Sequence, residues 1–87
     1  MTTPLHWERV ARAETHPTKL AVLAALSARE PASPSDVAEM TGERLGNVAY
    51  HVRALVAAGL LVLDRTEPRR GAVEHYYRLA DGVRGGA

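Results

Sequence analysis

The sequence has 87 residues, no cysteine, a formal net charge of +1 and an apolar share of 46%. A chain of this length forms one small domain and buries only about two-thirds of the surface that its unfolded form exposes. The missing cysteines exclude disulfides, thiolate metal ligands and a cysteine nucleophile. No segment approaches the ~20 continuous apolar residues of a membrane span, and the first residues show no charged region followed by an apolar core, so we expect no secretion signal. We therefore expect a cytoplasmic protein with no membrane partner.

Charge is divided unevenly along the chain. Residues 1–43 carry four basic and six acidic side chains, whereas residues 44–79 carry six arginines and three acidic side chains. This asymmetry favours an anionic partner for the second half of the chain. The near-neutral total predicts modest non-specific DNA affinity, because that affinity grows with the number of phosphates neutralised.

The first predicted element is a short helix from Pro4 to about Ala13. Thr3 and Pro4 are residue types preferred at the N-cap and at the first helical position. Trp7 in this helix either packs onto the domain or contacts a second copy of the chain. The sequence leaves both alternatives open.

Two further helices are predicted before the middle of the chain. The first spans about residues 15–28 and ends before Pro31, because the residue that precedes a proline is pushed out of the helical region. The second begins after Ser33, which together with Asp36 matches a capping box. It ends at Gly42, which can adopt the left-handed conformation of a sharp turn.

The fourth predicted helix spans about residues 44–58 and ends at Gly59. Its apolar residues recur at spacings of three and four, which predicts one buried stripe: Leu45, Val48, Val52 and Leu55. Solvent or DNA would then meet the opposite face and its flanks, which carry Gly46, Asn47, Tyr50, His51 and Arg53. Asn47 has the chemistry to pair with adenine, and Arg53 can reach phosphate or guanine. Tyr50 can contact DNA or fold back onto the hairpin that is predicted after this helix.

The last predicted element is a hairpin over residues 60–79. Residues 60–65 and 73–79 read as strands, and residues 66–71 read as a polar loop with turn chemistry. The hairpin arginines fit phosphate contacts, which position a protein without specifying sequence, or simply a solubilising loop: Arg65, Arg69 and Arg70. We expect residues 1–80 to form the single domain and residues 81–87 to form a flexible tail.

With a helix, a tight turn, a helix and a hairpin in this order, the chain resembles the winged helix-turn-helix repressors of the arsenic-resistance (ArsR-like) family. The segments that carry the resemblance are His16-Pro17-Thr18-Lys19-Leu20, residues 48–55, Ala58-Gly59-Leu60-Leu61 and residues 71–79. They lie within residues 15–80. The resemblance implies a mainly α fold of about four helices with a two-stranded wing.

The resemblance also implies a transcriptional regulator that reads a palindromic operator as a homodimer. It places Asn47, Tyr50 and His51 towards the major groove and the wing on phosphate or the minor groove. This sequence departs from the family in two ways: it lacks the cysteine pair of the metal-sensing members and the C-terminal helix that many members use to dimerise. We therefore expect no metal sensing, and we expect residues 4–14 to supply any dimer contact.

The complete set of predicted DNA contacts is Ser35, Arg44, Gly46, Asn47, Tyr50, His51, Arg53, Arg65, Arg69 and Arg70. Ser35 could bond phosphate at a helix N-terminus or serve only in the helix cap. The four histidines show no metal-ligand spacing, and no catalytic motif is present, so we expect no metal, no cofactor and no enzymatic activity. The alternative function is a protein-interaction module, because a fold does not fix its function. Its aromatic anchors would then be Trp7, Tyr50 and His51.

Overall fold

The computed structural model describes residues 16–82 as three helices followed by a two-stranded antiparallel hairpin. The elements are α1 (Pro17–Ala28), α2 (Pro34–Thr41), α3 (Leu45–Ala57), β1 (Leu61–Arg69) and β2 (Ala72–Leu79). This is the winged helix-turn-helix fold that the sequence predicts. The expected first helix over residues 4–13 and most of the expected tail lie outside the described residues.

α2 begins and ends as its sequence predicts. The Ser33 Oγ accepts the Asp36 backbone N–H at 3.1 Å, and the Asp36 carboxylate accepts the Ser33 backbone N–H at 3.1 Å. This reciprocal pair satisfies donors that the first helical turn cannot satisfy itself. At the other end Gly42 adopts a left-handed conformation with φ 75°. The sharp turn between α2 and α3 is therefore built locally, from the residues at its two ends.

α3 buries most of the predicted stripe but not all of it. Val48, Val52 and Leu55 are buried, as predicted, whereas Leu45 is 50% exposed and the prediction for this residue is wrong. Leu45 is the first residue of the helix. At this end the apolar stripe extends beyond the part of α3 that the rest of the domain covers. His51 is buried in its place. It lies three residues after Val48 and four before Leu55, so helical geometry puts it on the same face.

The core lies where the three helices and the base of the hairpin meet. Its buried apolar residues come from every described element and from the segment between α1 and α2: Val22, Leu23, Ala25, Leu26, Ala32, Val37, Val48, Val52, Leu55, Leu61 and Leu79. Only the hairpin base, at Leu61 and Leu79, contributes to this core. The remainder of the hairpin therefore projects away from the helices as a wing.

The wing is longer and its turn is tighter than the sequence predicts. Residues 66–69 belong to β1, and only Arg70 and Gly71 separate the strands, so the predicted loop over residues 66–71 is wrong. The turn residues Arg70 and Gly71 have φ values of 52° and 81°. A two-residue hairpin turn needs positive φ at both positions to match the twist of the strands. Pro68 is tolerated within β1 because each strand of a two-stranded ribbon has an open edge that needs no N–H donor.

Two backbone–backbone hydrogen bonds and one bond to a carboxylate attach the base of the wing to the helical part of the domain. Ala32 and Tyr77 exchange two backbone hydrogen bonds of 3.0 and 2.9 Å, which form an isolated antiparallel bridge. The Glu30 carboxylate accepts the Leu79 backbone N–H at 3.0 Å. These contacts fix the direction in which the wing leaves the domain relative to α2 and α3.

Candidate nucleic-acid interface

The outer face of α3 carries polar and aromatic side chains that the described residues do not cover. Tyr50 is 61% exposed, and Gly46, Asn47 and Arg53 are also exposed. Within residues 16–82, the side chains of Asn47 and Arg53 make no hydrogen bond or ion pair with the protein. Because Val48 and Val52 hold the opposite face in the core, this outer face is presented in one fixed orientation. Its donors and acceptors are therefore available to an external partner.

A cleft of about 410 Å³ lies between this helix, the start of α2 and the wing. Its lining joins three elements: Pro34, Ser35, Ala49, Val52, Arg53, Val73, Glu74, His75 and Tyr77. The structure thus brings together two predicted contact residues, Ser35 and Arg53, which are distant in sequence. Ser33 supplies the side-chain cap of α2, so the Ser35 hydroxyl is not occupied by the capping role that the sequence left open.

The sequence prediction missed the polar side chains that β2 contributes to this cleft, Glu74, His75 and Tyr77. Of these, His75 is exposed and lines the cleft together with Arg53. Strand alternation could have identified it, because residues 75, 77 and 79 share one face and Leu79 is buried in the core. His75 therefore belongs to the surface that a ligand in the cleft would meet.

Gly46 leaves the backbone of the first turn of α3 open. A Cβ built at Gly46 would meet no other atom within 4 Å, so packing within the protein does not require a glycine there. The absence of a side chain lets an extended ligand approach the helix backbone closely. Arg44, two residues earlier and also exposed, is the N-cap residue and has no side-chain capping bond.

The arginines of the wing differ in how much of their charge the protein itself neutralises. Arg65 donates to Asp64 at 3.2 Å and to Glu67 at 2.6 Å, and these carboxylates raise the pKa of its guanidinium. Arg78 lies 3.6 Å from Asp64 and 3.6 Å from Asp81. Both guanidinium groups are therefore partly neutralised before any partner binds.

The two arginines nearest the wing tip have no such carboxylate partner among the described residues. Arg69 donates to the Tyr76 hydroxyl at 3.1 Å, a neutral acceptor, and Arg70 occupies the turn itself. Arg65 also lies over the Tyr76 ring, 4.9 Å from its centroid, so that Tyr76 is only 9% exposed between two arginines. Within the wing, the positive charge available to a partner therefore concentrates at the tip, on Arg69 and Arg70.

His51 does not lie on the outer face with the other predicted contact residues. It is 7% exposed, its ring centroid lies 4.4 Å from that of His16, and the edge of its ring meets Tyr50. Burial lowers the pKa of His51, and the neighbouring His16 and Lys19 lower it further, while Glu43 acts in the opposite direction. Because His51 is buried away from the outer face, we leave it out of the proposed contact set.

The described residues contain no helix that is both long and apolar enough to cross a membrane. Nor does any group of three or more histidine, aspartate or glutamate side chains within residues 16–82 have an arrangement that could hold a metal ion.

The family model described as "Helix-turn-helix domain" matches residues 15–64, which is more than half of the chain. The chain therefore belongs to this family of helix-turn-helix domains. No curated protein matches the sequence.

Two solved structures share the fold. The apo form of wild-type MarR from E. coli superposes with a TM-score of 0.69 at 16% identity, over 91% of this chain and 57% of the MarR chain. The second is a homodimeric winged helix-turn-helix DNA-binding domain, residues 1–100 of Mb0332 from Mycobacterium bovis, described as a possible ArsR-family transcriptional regulator. It superposes with a TM-score of 0.61 at 23% identity, over 90% of this chain and 67% of that chain. This chain thus spans a little over half of MarR.

Proposed function

We propose that this protein is a sequence-specific DNA-binding transcriptional regulator. α3 lies in the major groove with Asn47, Tyr50 and Arg53 towards the bases, and the wing tip rests on the adjacent backbone. The observation that carries the proposal is the outer face of α3, which is polar, is not covered by the described residues and is continuous with a cleft bounded by Ser35 and the wing. The helix-turn-helix family and the winged fold support the same reading. Because this family and this fold are typical of regulators, we propose that the protein has no enzymatic activity.

Repression is the mode of regulation that we propose. The ArsR-like resemblance supports this mode, because the family it points to consists of repressors.

The experiment that tests DNA binding begins with the selection of duplexes from a random pool by the purified protein. Binding to a selected duplex and to a random one is then titrated at two salt concentrations. Asn47→Ala should weaken binding to the selected duplex by about 1–3 kcal/mol and leave the random duplex almost unchanged, because a paired contact to one base is lost.

Arg29→Ala serves as the control, since this exposed arginine follows α1 and does not line the cleft. Equal losses on both duplexes for Asn47→Ala would reject the base-reading role of Asn47. If neither duplex bound at low salt, the DNA-binding proposal would fail and a protein-interaction module would be favoured. The protein-interaction module is retained as a second candidate because carboxylates partly neutralise Arg65 and Arg78. This leaves less positive charge on the wing for DNA.

We also propose that the protein acts as a homodimer, with residues 4–14 contributing to the contact. The homodimeric state of the M. bovis domain supports the proposal. A shallow groove between α1 and α2 supports it further, because its apolar residues Ala21, Ala24 and Met40 are accessible to a second copy.

Sedimentation equilibrium of the full chain tests the dimer. Trp7→Ala should shift the solution mass towards that of the monomer, because an aromatic anchor contributes far more contact area than alanine. Trp7→Phe is the matched control and should retain the dimer. A monomeric wild-type protein at the concentrations used for DNA titration would contradict the proposal.

A further inference from the structure

His51 is a buried titratable side chain that the proposed DNA contacts do not use. One ring nitrogen, Nδ1, is fully enclosed and has no hydrogen-bond partner within residues 16–82. A neutral imidazole tolerates this position when the enclosed nitrogen carries no proton. A protonated imidazole would bury an N–H donor and a positive charge without a partner, which is unfavourable in a protein interior. The site therefore favours the neutral form of His51 over the protonated one.

The ring of His51 joins two elements of the fold. It packs against His16, which is the N-cap residue of α1 and accepts the Thr18 backbone N–H through its Nδ1 at 3.2 Å. His51 itself belongs to α3, the helix whose outer face we propose to contact DNA. The pair of rings thus forms a direct contact between the start of α1 and α3.

The charged groups around this contact oppose a proton on His51. α1 contributes His16, Lys19 and the positive end of its helix dipole. The turn before α3 contributes Glu43, whose carboxylate already accepts the Thr18 hydroxyl at 3.1 Å, and α3 contributes Tyr50. Burial is the main reason that the pKa of His51 is lowered, and His16 and Lys19 add to it more than Glu43 offsets.

We propose that the contact between His51 and His16 is acid-sensitive, so that protonation of His51 loosens α3 from α1. In the unfolded chain His51 takes up a proton at its ordinary pKa of about 6.5. In the folded chain this uptake is displaced to lower pH. Stability is therefore constant with respect to His51 above about pH 6.5 and falls as the pH decreases below that value, by at most about tenfold in the folding equilibrium constant per pH unit.

Loosening of α3 would also affect the proposed function, because Asn47 and Tyr50 lie on the helix that the contact holds in place. If the protein binds DNA as proposed, acidification lowers its affinity through the position of α3. This consequence rests on the proposed function, but the titration and the stability change do not.

The first test is an NMR titration of the histidine ring resonances of the full chain from about pH 8 to about pH 5. We expect His51 to titrate below its ordinary value of about 6.5, and the α3 resonances to change with the same midpoint. A His51 that titrates at or above that value would overturn the proposal, whether or not any variant folds.

The second test is denaturant unfolding at each pH for the wild type, His51→Phe and His75→Gln. Phenylalanine keeps an aromatic ring against His16 but cannot take up a proton, so the loss of stability below about pH 6.5 should become shallower. His75 is exposed on β2, outside the pair of rings, so His75→Gln is the control for removing a histidine elsewhere in the protein. An unchanged pH dependence in His51→Phe would contradict the proposal. Neither test requires DNA, so failure of the DNA-binding proposal would be distinguishable from failure of this one.

Discussion

At the scale of single residues, Gly46 allows the proposed DNA contact to be tested separately from folding. It lies in the first turn of α3 on the exposed face, and no described atom approaches the position of an added Cβ. Glycine disfavours helix by up to about 1 kcal/mol relative to alanine. Gly46 therefore weakens the helix without a packing reason among the described residues, which supports the proposal that DNA approaches the helix backbone closely here.

We predict that Gly46→Ala changes stability and DNA affinity in opposite directions. The free energy of unfolding should rise by up to about 1 kcal/mol, because alanine is the better helix former. Affinity for the selected duplex should fall, because the methyl group occupies space that the DNA backbone would use. Denaturant unfolding and anisotropy titration measure the two effects, and unchanged affinity alongside higher stability would show that DNA does not approach this turn.

The buried stripe of α3 shows how far sequence reasoning reaches for individual side chains. Periodicity alone placed Val48, Val52 and Leu55 in the core, because aliphatic side chains at this spacing have no better place than the interior. The same spacing contains position 51, yet histidine is compatible with the interior, with solvent and with DNA. Its burial follows from the neighbouring His16, which belongs to another helix and is not visible in the local pattern.

At the scale of elements, the wing departs most from its prediction. Pro68 and the charged residues around it read as a loop, because proline and charge are typical of connections. The antiparallel pairing continues through them to a two-residue turn at Arg70 and Gly71. Strand pairing depends on residues across the ribbon, such as the register of Pro68 with Val73, and one strand read alone does not contain that information.

Two arginines of the wing, Arg70 and Arg65, can be replaced one at a time to compare the loss of a charge that is unpaired among the described residues with the loss of an ion-paired one. Arg70 lies in the turn with φ 52°, and asparagine accepts positive φ readily, so Arg70→Asn removes the charge without straining the turn. We predict that it weakens binding to all duplexes similarly and reduces the slope of log affinity against log salt by about 1.

Arg65→Gln is the control for this experiment. It also removes one positive charge, but Asp64 and Glu67 already neutralise part of that charge in the free protein. The salt slope should therefore change less than it does for Arg70→Asn. Equal reductions in the two variants would mean that the ion pairs of Arg65 have no bearing on its availability to DNA.

At the scale of the whole molecule, the described elements combine into one surface that none of them forms alone. The start of α2, the outer face of α3 and the cleft-facing side of β2 meet around a single cleft. The backbone bridge between Ala32 and Tyr77 holds the wing at this angle to α3. The sequence predicted the identity and order of these elements, but it could not predict this long-range contact or the cleft that depends on it.

The central claim is that the outer face of α3 and the wing tip contact DNA. NMR mapping of backbone amide shifts during titration with a selected duplex tests it most directly. We predict the largest shifts at residues 46, 47, 50 and 53 of α3, at Ser35 and at residues 69–71, with small shifts along the outer side of α1. Shifts concentrated on α1, or the absence of salt-sensitive shifts anywhere in residues 16–82, would contradict the account.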